Sequence, residues 1–134
     1  MATRRSRRPA RAIVGVGIDI VELTEFRASV LARSRNASRV FTPRELAAAA
    51  GPRRVERLAA RFAAKEAAFK AVGTGWGRGV TWHDVEVISS TRGKPSLEVR
   101  GALRRHARTL GGRQFFVTLS HSGGYAVAMV VLAP

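Results

Sequence analysis

Three side chains sit where their types demand an explanation: Glu66, Lys70 and Asp19. At 100° per residue, Glu66 falls inside the helical stripe that Val55, Phe62 and Phe69 define, where an aliphatic residue is expected. A carboxylate left unpaired there costs roughly several kcal/mol unless a cation satisfies it. Lys70 follows four residues later in the favourable Glu-before-Lys order, so an ordinary ion pair at the edge of the stripe is one account. Asp19 ends a run containing Gly15 and Gly17, and could simply cap a helix starting near Val21. Together, Asp19 and Glu66 offer two hard oxygen ligands from separate elements. Magnesium typically takes one or two protein carboxylates and completes its octahedron with water and substrate phosphate.

Two further segments bear on chemistry. The loop from Gly73 to Gly79 holds four glycines and follows the helix that carries Glu66 and Lys70. Its amides and Arg78 could hold phosphate, although it matches neither the P-loop nor the dinucleotide pattern. A plain connection is the alternative. His121 ends a strand in which Phe115, Val117 and Leu119 point the same way, so it is either a packed residue or a catalyst. Ser120 and Ser122 flank it, but no nearby acid completes a serine triad, which argues against hydrolase chemistry. His83 and His106 have no metal-ligand spacing with it.

The elements that must position these groups are legible from periodicity. Ala12 to Ile20 reads as a buried strand with Gly15, Gly17 and Asp19 on one face and Val14, Val16, Ile18 and Ile20 on the other. Glycine in a strand marks close approach by another backbone or by a ligand. A helix is expected from Glu22 to about Arg35. Thr42-Pro43-Arg44-Glu45 then has the N-cap, N1 proline and capping-box glutamate of a helix start, and Gly51-Pro52 ends that helix. The longest helix should run from about Arg53 to Val72 and stop at Gly73. The remainder predicts one antiparallel sheet: Val85 and Val87, Leu97 and Val99, Phe115 to Leu119, then Tyr125 to Leu132 after the turn at Ser122-Gly123-Gly124. A helix around Ala102 to Leu110 separates the middle strands. The class is α+β, an antiparallel sheet packed with a long helix.

At 134 residues and 46% apolar content the chain suits one domain with a small core, placed at residues 12–134. The preceding Met1–Arg11 is an Arg-rich arm expected to be disordered and solvated. The absence of cysteine excludes a thiolate metal site and suits the cytoplasm, and no apolar run reaches membrane-spanning length. With 24 Lys+Arg against 9 Asp+Glu, the protein should seek a polyanion: nucleic acid, anionic membrane, a phosphorylated small molecule or an acidic protein. A nucleic-acid-binding domain would explain the charge. It would not explain Glu66, and no binding motif for it is present.

Several segments, in order, resemble the holo-[acyl-carrier-protein] synthase family. They are Gly15-Val16-Gly17-Ile18-Asp19-Ile20-Val21-Glu22, Phe41-Thr42-Pro43-Arg44-Glu45-Leu46, and the stretch from Arg61 to Ala71 containing Ala64-Lys65-Glu66-Ala67. Gly73-Thr74-Gly75, Gly93-Lys94-Pro95 and Leu119-Ser120-His121-Ser122 complete the series. The resemblance implies the short-type 4'-phosphopantetheinyl transferase fold, acting as a homotrimer with sites between subunits. It implies transfer of the phosphopantetheine arm of coenzyme A to a serine of an acyl carrier protein, with release of 3',5'-ADP and no membrane or nucleic-acid partner. Asp19 and Glu66 would bind Mg2+, and Lys70 would lie near the diphosphate. Arg53, Arg61, Lys94 and His121 would line the coenzyme A site, some from the adjoining subunit, with Thr74, Gly75, Pro95 and Ser120 beside it. The base is expected to be Glu66 acting through a water, with His121 the alternative. The first helix would offer Arg27, Arg33, Arg35 and Arg39 to the acidic carrier. Glu25 departs from the family pattern, which often has a basic residue there.

Overall fold

The computed structural model describes residues 12–75 and 77–134; the Arg-rich arm lies outside the described residues. A three-stranded antiparallel sheet, in the order β1-β5-β4, is formed by β1 (Gly15–Glu22), β4 (Gln114–Ser122) and β5 (Tyr125–Ala133). Across it packs α4 (Arg54–Val72), which Gly73 ends in a left-handed conformation at φ 82°. A separate hairpin, β2 (Val85–Ser89) with β3 (Pro95–Val99), and helix α5 (Gly101–Thr109) complete the second half. The strands after α4 therefore form two sheets rather than the single one expected: β4 and β5 join β1, and β2 pairs with β3 alone. Among the described residues no helix is long and apolar enough to cross a membrane.

The glycines of β1 explain how closely the sheet meets α4. A Cβ on Gly15 would lie 1.9 Å from the Ala71 carbonyl oxygen, and one on Gly17 would lie 1.9 Å from that of Ala67. Backbone thus packs on backbone. The alanines that α4 buries (Ala63, Ala64, Ala67, Ala68 and Ala71 among them) make this possible. The strand expected to be buried is buried on one face only. It is the glycine face that is covered, while Val16, Ile18 and Ile20 are 54%, 59% and 64% exposed. Gly17→Ala should force β1 off α4 and lower stability by about 1–3 kcal/mol or more. A denaturant midpoint equal to the wild type's would contradict this close contact.

A second correction concerns the first helix. Instead of one helix from Glu22 to Arg35, the chain forms α1 (Leu23–Ser29) and α2 (Ser34–Val40), followed by α3 (Pro43–Ala49). Phe26 and Phe41 meet edge to face at 6.3 Å. The turn between α1 and α2 redirects the chain so that both rings enter one core. That core continues from Phe26 to Phe62 at 5.4 Å and from Phe62 to Trp82 at 5.1 Å. Helix α3 begins as its sequence predicts: Thr42 and Glu45 form a reciprocal capping box and Pro43 stands in the first turn.

Candidate functional site

Asp19, Glu66 and Lys70 come together at one cleft of about 400 Å³, whose walls are β1, α1 and α4. Asp19 lies inside β1, opposite Ala128 of β5, so it caps no helix; α1 starts after Glu22 without a side-chain cap. Lys70 does not take Glu66 as its ion-pair partner. Its Nζ donates to the Ile18 carbonyl at 2.9 Å and to Asp19 Oδ1 at 3.0 Å. With the lysine side chain 53% exposed, that pair is worth little to stability, about 0–1 kcal/mol. Its geometry fixes an ammonium at the mouth of the cleft instead. Glu22 and Glu25, which the sequence did not single out as site residues, also line it.

Glu66 makes no ion pair or side-chain hydrogen bond among the described residues. Burial pushes its carboxyl above the ordinary carboxylate range, the Asp19 charge adds to this, and Lys70 partly offsets it. A carboxyl whose pKa is raised on folding binds its proton more tightly in the folded state. Stability is therefore lost as pH rises from the ordinary carboxylate range through the folded value. In magnesium-free buffer at neutral pH, Glu66→Gln should melt above the wild type, with the gap closing below about pH 4. A variant that melts lower at neutral pH, or an equal gap at both pH values, would refute this assignment.

The other expected ligand-binding residues gather elsewhere. Arg53, Arg61, Lys94, Pro95 and His121 line a second cleft of about 590 Å³ between the first half of α4, the β2–β3 hairpin and β4. No residue lines both clefts. Arg57, missed in the sequence, joins this second group, and Glu56 is its one acid. Arg61 is buried and makes no salt bridge among the described residues. It donates to Ser89 Oγ at 3.1 Å and to the Arg57 carbonyl at 3.2 Å, while its Nε has no partner among them. Burial lowers its pKa. A cationic cleft holding an under-satisfied guanidinium is suited to an anion.

Thr74 and Gly75 lie in the loop after α4 and line neither cleft; Thr74 Oγ1 is buried without a hydrogen-bond partner among the described residues. Ser120 pairs with Val127, which pairs in turn with Ile20, so it stands on the open face of the sheet. The four arginines expected on one helix are all exposed but divided: Arg27 is on α1, Arg33 precedes α2, and Arg35 and Arg39 are on α2.

The 4'-phosphopantetheinyl transferase superfamily profile matches residues 15–130, which contain both clefts. The chain belongs to this family. The transferase is 49% identical over 122 residues to the holo-[acyl-carrier-protein] synthase of Geobacter sulfurreducens, covering 90% of this chain and 97% of that one. It is 46% identical over 120 residues to the synthase of Frankia alni, at 90% and 97% coverage. Among solved structures, the synthase of Neisseria meningitidis superposes with a TM-score of 0.79 at 34% identity, covering 91% of the transferase and 99% of that chain. The Bacillus anthracis synthase, in complex with CoA (3',5'-ADP), gives 0.74 at 40% identity, with 90% and 96% covered.

Proposed function

We propose that the transferase moves the 4'-phosphopantetheine of coenzyme A onto a serine of an apo acyl carrier protein and releases 3',5'-ADP. The observation that carries this reading is the convergence of Asp19, Glu66 and Lys70 on one cleft in a chain of this family. The residues also fit magnesium. Asp19 has one oxygen free of Lys70, Glu66 has no hydrogen-bonding partner among the described residues, and the donor set is all oxygen. No three His, Cys, Asp or Glu among the described residues could hold a metal by themselves, so the protein would supply two ligands and leave the rest to phosphate and water. When bound, magnesium would neutralise the diphosphate.

The remaining work falls to side chains. Lys70, pinned by Ile18 and Asp19, presents its ammonium to the diphosphate and steadies the charge that grows on the leaving phosphate. The carrier serine Oγ attacks the β-phosphorus as the bond to the leaving 3',5'-ADP breaks. Glu66, its proton affinity already raised, takes the serine proton directly or through a water. His121, standing with Arg53, Arg61 and Lys94 in the basic cleft, is the alternative base.

Because the carboxylate cleft and the basic cleft share no lining residue in one protomer and use different parts of α4, we infer that a complete site joins the first of one copy to the second of its neighbour. The open sheet face supports such an assembly, a homotrimer in this reading. Val16, Ile18, Ile20, Phe116 and Met129 are each at least 41% exposed there. The acidic carrier would meet Arg27 on α1 and Arg35 on α2, with Glu25 modifying that contact. Arg27→Glu with Arg35→Glu should raise the carrier KM several-fold and leave coenzyme A binding unchanged; an unaltered carrier KM would move the docking surface elsewhere.

Mass spectrometry of apo carrier protein incubated with the transferase, coenzyme A and magnesium tests the function. A gain of one phosphopantetheine is expected. No gain with any of several carriers would overturn it.

A further inference from the structure

A third concavity, of about 390 Å³, lies away from both clefts, where the end of α5 faces β3 and the start of β4. Three arginines converge on it: Arg104 and Arg108, one helical turn apart on α5, and Arg113 just beyond the helix. The chain reversal that brings Arg113 back is built into the backbone. The Gly112 amide donates to the Ala107 carbonyl at 2.8 Å, Gly111 adopts φ 90°, and the Arg113 amide is tied to the Ala133 carbonyl at 2.8 Å. Gly112 is itself buried so tightly that a Cβ would come within 2.5 Å of the Leu132 side chain. Among the described residues no acidic one lines the concavity.

None of the three guanidinium groups makes a salt bridge or side-chain hydrogen bond among the described residues. Elsewhere Arg44 and Arg100 reach Glu86, and Arg57 reaches the Ala50 carbonyl. Stability alone does not account for the group. The negative end of the α5 dipole favours a cation at Arg108, but like charges spaced four apart oppose each other, and Arg113 lies outside the helix. The floor between them is apolar, with Leu97, Val99 and Phe115 half-buried. A flat basic patch would suit a protein or a polyanion. A concavity with an apolar floor suits a small molecule with a charged end and an apolar or aromatic body.

We propose that Arg104, Arg108 and Arg113 form a second anion site for a phosphate monoester of about nucleotide size, separate from the transfer reaction. The guanidinium forks bind the phosphate and Phe115 with Leu97 takes the body.

Adenosine 5'-monophosphate titrated into 15N-labelled protein tests the site directly. The amides of Arg104, Arg108, Arg113 and Phe115 should shift along one saturating curve, and inorganic phosphate should shift them with roughly tenfold lower affinity because it leaves the floor unfilled. Arg104→Ala with Arg108→Ala should weaken the nucleotide at these amides by about tenfold or more. If that pair of changes prevents folding, Arg113→Gln alone serves, with a loss of several-fold. Absent shifts at these amides, shifts unchanged in the variants, or equal affinity for phosphate and nucleotide would overturn the proposal. None of these readouts depends on phosphopantetheine transfer.

Discussion

Initial rates of carrier modification should fall by about 100-fold or more when Asp19 becomes Asn or Glu66 becomes Gln, with the fold intact in both variants. Each change removes one charge and one oxygen ligand at the place where the diphosphate must be neutralised. Neither removes a core contact, since both side chains are only half-buried at the cleft. The two variants should differ informatively. Asp19→Asn also weakens the anchor of Lys70, which would then meet a neutral amide oxygen in place of a carboxylate beside the Ile18 carbonyl. Glu66→Gln leaves that anchor whole, yet loses the candidate base and the repulsion that burial and Asp19 impose. Glu66→Gln is therefore expected to be more thermally stable at neutral pH while nearly inactive. Extra magnesium should raise the melting temperature of the wild type and do so less in either variant. Wild-type rates at ordinary magnesium in both variants would remove the metal assignment. Lys70→Ala gives the complementary control, slowing transfer without unfolding, because its exposed ion pair contributes little stability.

What could be read beforehand followed the range of the interaction. The Thr42 capping box and the glycine stop of α4 are local signals, each within a few residues of its cause, and glycines at 15 and 17 signal a close neighbour without saying that it is α4. The break between α1 and α2 was not legible because Phe26 and Phe41 meet only in the tertiary fold. The pairing of Lys70 illustrates the same limit. Its sequence neighbour Glu66 offered a sufficient partner by spacing, but the structure gives the lysine to Asp19, 51 residues away. The exposure of Val16, Ile18 and Ile20 confines the expected burial of the strand to its glycine face, since alternation tells that two faces differ but not that one of them lies open. Of the site, the identities Asp19, Glu66 and Lys70 were legible. The separation of the two clefts was not, because it depends on which side of α4 each residue faces.

Lys65 is expected to carry a large stability effect. It is fully buried, as is Glu45 on α3, and their charged atoms are 2.7 Å apart. Lys65 Nζ also donates to the Trp82 carbonyl at 3.1 Å and to the Val85 carbonyl, so its three donors are all engaged. Glu45 in turn accepts from the Thr42 amide at 3.0 Å and the Val87 amide at 3.0 Å. The pair thereby fastens α3, α4, β2 and the turn at Trp82 to one another. Burial lowers the lysine pKa while Glu45 pulls it back up, as expected for a cation retained only by its partner. Lys65→Met should cost about 3–5 kcal/mol, because it strands a buried carboxylate. For a chain of this length that is a fall of roughly 10–20 °C in melting temperature. Adding Glu45→Gln should restore part of the loss, since the amide oxygen still accepts from Val87 without a buried charge. A loss below about 1 kcal/mol in Lys65→Met, or a double variant less stable than the single one, would refute the buried-charge account. The consequence extends to the site. Lys65 and Glu66 are successive residues about 100° apart around α4, one gripping the hairpin side and the other facing the carboxylate cleft. With Gly15 and Gly17 seating β1 on a third side, the rotation of α4 is fixed, and that fixes where Glu66 meets Asp19. Activity of Lys65→Met should therefore decline at temperatures well below its own melting point, and full wild-type rates there would show that Glu66 is positioned without the buried pair.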